Sequence, residues 1–141
     1  MGETPTAAGV TRIVLPGATS FFWESVKGHI CLGEFELSGQ MQAIKCGKGK
    51  VKPKGTSKLA ALFGPGMLGS KARVVLVAEP GLQVVSVDYR KQRMDWTFIR
   101  TLSPSGRGVY YVTLPDWPED WLNVTLISGQ QQNVDRIWLG W

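Results

Sequence analysis

Apolar residues along this chain come in short bursts. Ten runs of strand length follow one another, at 10–15, 21–26, 30–37, 41–46, 73–78, 82–89, 94–102, 108–114, 121–127 and 134–139. Between them stand residues that turn a backbone: Pro16-Gly17, Ser38-Gly39, Pro80-Gly81, Ser103-Pro104-Ser105-Gly106, the stretch from Pro115 to Pro118, and Ser128-Gly129. Gly reaches positive φ without a steric penalty and Pro presets the first dihedral of a turn, so these are separators with a mechanism. Inside the runs the period is two. Val84, Ser86 and Asp88 interleave with Val85, Val87 and Tyr89, and Trp121, Asn123 and Thr125 with Leu122, Val124 and Leu126. That alternation belongs to a half-buried strand, whereas an amphipathic helix would repeat every 3.6 residues.

The pattern predicts an all-β fold, a single β-sandwich of jelly-roll type. Residues 1–9 read as an extended N-terminal arm, 10–141 as one sandwich domain, and 47–72 as a long Gly/Lys-rich excursion from it. One segment, Ser57 to Phe63, predicts a helix of one or two turns, with Ser57 as its cap and Gly64-Pro65-Gly66 as its stop. No internal repeat supports a propeller or solenoid.

Composition narrows the classes. A chain of 141 residues, 43% hydrophobic and 19% charged, buries enough apolar surface for one core and is not intrinsically disordered. No apolar run approaches the 18 or so residues of a membrane-spanning helix. The N-terminus lacks the basic and apolar regions of a secretory signal, which leads to the expectation of cytoplasmic synthesis. Cys31 and Cys46, 15 residues apart, fall on what read as adjacent strands where a bridge is open to them. Two cysteines do not make a disulfide framework, and reduced, half-buried thiols are the expected state.

Chemistry is excluded piece by piece. His29 is the only imidazole, and no nucleophile elbow accompanies it. His29, Cys31 and Cys46 alone fall short of a zinc set, which would need an added carboxylate. Gly64-Pro65-Gly66-Met67-Leu68-Gly69-Ser70-Lys71 has the glycines of a phosphate loop, but its Ser and Lys are in the wrong order and a strand follows where a helix is required. Asp116, Glu119 and Asp120 crowd one turn, too close together to flank a sugar from opposite faces. The expectation is a non-enzyme, with no catalytic residue, no metal and no cofactor.

Charge is unevenly distributed. Residues 37–78 carry eight Lys or Arg and no acid, while the last 28 residues carry four acids and the single Arg136. Lys48, Lys50, Lys52 and Lys54 alternate with Gly49, Val51 and Pro53, so an extended ribbon would present them on one side. Nucleic acid ranks low as a partner because no aromatic lies between Phe35 and Phe63 to stack bases. An acidic protein neighbour ranks above it. Four of the six tryptophans fall in the last 25 residues. Trp138 reads as core, Trp117 as exposed in its turn, and Trp141 as part of an interface with the four lysines.

The segments Trp96-Thr97-Phe98-Ile99, Gly108 to Pro115, Trp121 to Leu126 and Arg136 to Gly140 resemble the closing strands of galactose-binding-like, discoidin-type jelly rolls. The resemblance covers about a third of the chain, and no loop pattern carries a ligand residue across. It implies non-enzymatic binding, often of glycans, and similar sandwiches recur as accessory proteins on phage and virus particles. The expected function is therefore structural: a virion accessory or decoration protein that binds copies of itself and acidic protein neighbours. The alternative is a carbohydrate-binding module using Asp116, Trp117 and Trp121.

Overall fold

The computed structural model describes residues 3–15, 18–36, 41–48, 58–63, 66–68, 71–102 and 105–139. Each of the ten apolar runs overlaps a strand, and no helix occurs among the described residues. The chain divides into two compact units, Met1–Lys50 and Val51–Trp141.

The first unit is a meander. Strands β1 (Pro5–Leu15), β2 (Ala18–Ser25), β3 (His29–Glu36) and β4 (Met41–Lys48) pair antiparallel in sequence order. Residues 5–9, assigned to an arm from the sequence, form the start of β1: Pro5 lies opposite Ser25, and an irregularity separates that pair from the regular register beginning at Val10. The β2–β3 turn closes with Gly28 N–H donating to the Ser25 carbonyl at 2.9 Å, and His29 N–H donates to Ser25 Oγ at 3.1 Å. Phe22 is opposite Leu32, so one face collects Ile13, Phe22, Ile30 and Leu32, all buried. The opposite face carries Phe21, Trp23, Cys31 and Phe35, with the Phe21 and Phe35 rings edge to face at 5.4 Å.

Cys31 and Cys46 occupy directly opposed positions on β3 and β4 and are joined by a disulfide. This corrects the expectation of free thiols. The register places the two Cβ atoms side by side, which a count of two cysteines does not convey.

The second unit has two sheets around a common core. Its strands are β5 (Leu59–Ala61), β6 (Gly66–Leu68), β7 (Lys71–Ala78), β8 (Gln83–Tyr89), β9 (Gln92–Arg93), β10 (Asp95–Thr101), β11 (Gly108–Leu114), β12 (Trp121–Ser128) and β13 (Gln131–Trp138). One sheet runs β10-β11-β7-β5, with β6 also on β7, and the other runs β13-β12-β8-β9. All pairs are antiparallel. Inward residues of both sheets form one cluster that includes Val74, Leu76, Val112, Leu114, Leu122, Val124 and Leu126, the arrangement of a sandwich-like all-β fold. Each such aliphatic side chain contributes about 1.5–3 kcal/mol by leaving water. From Ala72 to Ala78, β7 is buried on both faces, which explains why Val74 to Ala78 is a continuous apolar run that does not alternate.

Three readings of the sequence change here. Ser57–Phe63 was expected to be helical, but its described part contains β5, laddered to β7 with Leu59 opposite Ala78. Seven residues give too few hydrogen bonds to offset helix nucleation, and Leu59 gains burial in the core as a strand residue. The alternation in β8 changes phase. Ser86 pairs with Thr125 but Val84 pairs with Leu126, so Val85 is an extra, bulged residue. Val84, Val87 and Tyr89 therefore reach the core while Val85 is exposed. Trp138 is also not core. Ile137 opposes the inward Leu122, which puts Trp138 on the outer face, 50% exposed.

Two hairpins contrast in turn chemistry. Ser128 faces Gln131 across Gly129-Gln130, and Gly129 has φ 59°, consistent with a II′ turn. Tyr89 faces Gln92 across Arg90-Lys91, whose φ values of 50° and 64° are both positive, as a I′ turn requires. Neither residue is one of the Asn or Gly usually found there.

Candidate functional site

Three arrangements concentrate polar or aromatic chemistry, one in the first unit and two in the second. The outer face of β12 and β13 is one of these. Trp121 lies opposite Trp138 with ring centroids 5.3 Å apart and planes at 61°. The Arg136 guanidinium stands 4.5 Å over the Trp121 ring, where the ring's negative face attracts the cation. Val134, next along the same face, is 63% exposed. The strand beneath is fixed at one edge by Asp135: its Oδ2 accepts from Lys58 N–H at 2.7 Å and its Oδ1 from Arg136 N–H at 3.1 Å. In the row that runs from Arg136 through Asn123 to β8, Asp88 is tied to Arg93 at 2.7 Å. The face is thus an aromatic pair capped by a cation, with an aliphatic neighbour and a pinned backbone.

The second arrangement is a cleft of about 420 Å³ between the β7–β8 turn and the β10–β11 end, lined by Leu82, Gln83, Trp96, Phe98, Thr101 and Tyr110 among others. Tyr110 organises it. Its ring meets Trp96 and Phe98 edge to face at 5.8 and 5.4 Å, and its hydroxyl accepts from Val84 N–H at 3.3 Å. Gly108 makes room for the ring, since a Cβ there would lie 3.1 Å from Tyr110 Cε2.

The third lies in the first unit. Trp23 Nε1–H donates to the Glu3 carbonyl at 2.7 Å, and His29 Nδ1 is 2.9 Å from Glu3 Oε1. Glu3 Oε2 lies 3.9 Å from Cys31 Sγ. Hydrogen bonding from Ser25, and then from His29, holds the Glu3 carboxyl below the usual carboxylate range, against a smaller opposing effect of desolvation. Ser, His and Glu are thus together, but in the wrong order for nucleophilic catalysis. The carboxylate stands between hydroxyl and imidazole, so the imidazole is not placed to take the Ser25 proton.

The residues singled out from the sequence are dispersed. Asp116 and Trp117 are exposed on the turn after β11. That turn is anchored by Glu119 N–H donating to the hydroxyl of the buried Tyr89 at 2.9 Å. Trp121 makes its ring contacts with Trp138 and Arg136. Lys48 ends β4 opposite His29, while Lys50, Lys52, Lys54 and Trp141 lie outside the described residues. Sequence reasoning missed Arg136, Trp138, the Trp96–Phe98–Tyr110 cleft and Glu3. For Trp138 a signal existed, because counting back from a two-residue loop at Gly129-Gln130 sets it opposite Trp121. In comparisons with known proteins, no family model, curated protein or solved structure matches the chain.

Proposed function

We propose that the protein is a non-enzymatic structural subunit, a jelly-roll-type sandwich of the kind that decorates a virion, assembling with copies of itself through the outer face of β12 and β13. The observation that carries this reading is the exposed Trp121–Trp138–Arg136 cluster. Tryptophan and arginine dominate the energetics of protein interfaces, tryptophan because it buries a large area with few rotamers to freeze, arginine because its planar guanidinium both stacks on rings and hydrogen-bonds in a fixed fork. A face reused by two copies under two-fold symmetry closes on itself, which favours a defined oligomer over open-ended growth. The lysines at 48, 50, 52 and 54 supply a separate, salt-sensitive contact to acidic protein neighbours in the assembly.

Sedimentation of the full chain tests the reading. Wild type is expected to form a discrete oligomer at micromolar concentration, and Arg136→Ala with Trp138→Ala to sediment as a monomer with an unchanged melting temperature. A wild-type monomer at about 100 μM, weaker than the interfaces that such hot spots support, removes the assembly reading. The alternative, a carbohydrate-binding module, draws support from the aromatic cleft, whose Trp96 and Phe98 rings and Gln83 and Thr101 side chains combine stacking surface with polar groups. Glycan binding lost in Phe98→Ala, in a chain that stays monomeric, would favour it.

A further inference from the structure

We infer that the reduced form of this chain binds a thiophilic divalent cation of the zinc type through Cys31, Cys46 and Glu3, so that the disulfide and the metal site are alternative states of the same pair of sulfurs. Glu3 supplies the carboxylate that the sequence alone could not provide. Its carboxylate and the two sulfurs place one donor atom each within 4.8 Å of one another. Ligands around a tetrahedral zinc stand about 3.3–3.8 Å apart, given bonds of about 2.0–2.3 Å, so modest parting of the sulfurs is enough.

The rest of the arrangement is what such a site needs beyond its ligands. Glu3 is held from three directions: Trp23 fixes its backbone carbonyl, and His29 and Ser25 fix its carboxylate. Hydrogen bonds to a ligating carboxylate orient it and tune its donor strength. His29 Nδ1 meets Oε1, while Oε2 is the oxygen that faces Cys31. Cys31 is fully buried and Cys46 exposed, giving one sheltered ligand and one on the solvent side. Two thiolates and a carboxylate bring three negative charges to the cation.

The change of state balances simply. Two low-molecular-weight thiols reduce the Cys31–Cys46 bond, taking the oxidised form themselves as one disulfide and leaving two protein thiols. Metal binding then releases the two thiol protons as the sulfurs coordinate. Oxidation by a disulfide reverses the sequence and expels the ion.

Cobalt(II) is the probe, because its thiolate complexes absorb where the free ion does not. The full-length chain, reduced anaerobically with a phosphine, is expected to bind one cobalt per chain with a thiolate-to-metal absorption band that zinc abolishes. The oxidised chain should show no band, and Cys46→Ser should lose it. Glu3→Gln is expected to weaken cobalt binding at least tenfold, and His29→Gln by a smaller factor, within the range typical of groups that orient a ligand. No band in the reduced chain overturns the inference. So does unchanged affinity in Glu3→Gln, which would leave an ordinary dithiol pair. Should reduction abolish the strand signal in circular dichroism, its return with one equivalent of zinc supports the site, and a chain that stays unfolded with zinc overturns it.

Discussion

The two units reach order by different routes. In Val51–Trp141, two sheets share a cluster of inward residues that runs from Leu59 to Leu139, so stability is spread over many apolar contacts that no single residue controls. Met1–Lys50 is one four-stranded meander, and it adds covalent and polar ties: the Cys31–Cys46 bridge and the hydrogen bonds that draw Glu3 onto Trp23 and His29. A layered core is robust to chemistry but sensitive to volume. A tied sheet is the reverse, sensitive to redox state and pH at a few atoms.

The largest expected effect tests the layered unit. Leu122→Ala, at a fully buried position, should cost about 2–5 kcal/mol in denaturant unfolding, the range for a leucine truncated in a packed core. Hydrogen exchange should rise in β7, β8, β11 and β12. Equal loss of protection in β2 and β3 would mean that the two units unfold as one, and the contrast drawn above would fail.

Cys46→Ser is the corresponding test of the tied unit. The bridge closes a separation of 15 residues, for which loop-closure entropy gives about 3 kcal/mol. Exchange should rise in β3 and β4, with β7, β11 and β12 retaining their protection. Loss confined instead to the second unit would contradict it.

A smaller change sharpens the picture from the stabilising side. Arg90 and Lys91 both have positive φ, a conformation costing about 1–2 kcal/mol for a residue with a Cβ and less for Asn or Gly. Replacing the pair with Asn-Gly should raise the melting midpoint of the second unit by the equivalent of about 1–2 kcal/mol. An unchanged or lower midpoint would show that contacts of Arg90, which stands over the Tyr89 ring and 3.8 Å from Asp120, outweigh the turn.

The smallest effect concerns acid. Glu3 has its carboxyl held low by Ser25 and His29, so its contribution is complete above the ordinary carboxylate range and fades as the pH falls through the lowered value. Wild type should therefore lose more stability than Glu3→Gln between neutral and strongly acidic pH. Parallel pH curves for the two would remove Glu3 from the ties of the first unit.

Much of this was legible from hydrophobic spacing because a strand has only two faces. Every long strand falls within or around an apolar run bounded by turn residues. What escaped notice had no period to display. β5, β6 and β9 are three, three and two residues long, shorter than any window that reveals alternation. The bulge at Val85 reversed a face assignment that strict alternation would fix, and Trp138 was read as core because its run was judged by composition without the register. Candidate sites were harder still. Glu3 meets His29 and Cys31 only after β1, β2 and β3 have folded side by side, across 26 and 28 residues, and nothing local at Glu3 announces it. The aromatic cleft likewise depends on a turn between β7 and β8 meeting the far end of β10 and β11.

The bulge in β8 makes this strand forgiving of length. Deleting Val85 would leave Val84, Ser86, Val87, Asp88 and Tyr89 in unbroken alternation, with the same three residues directed to the core. An unbulged strand such as β12 has no such slack, since losing one residue there would turn every position on one side of the gap to the wrong face. Insertions and deletions passing through this gene would be filtered unevenly, with β8 able to lose a codon at Val85 where its hydrogen-bonded neighbour could not.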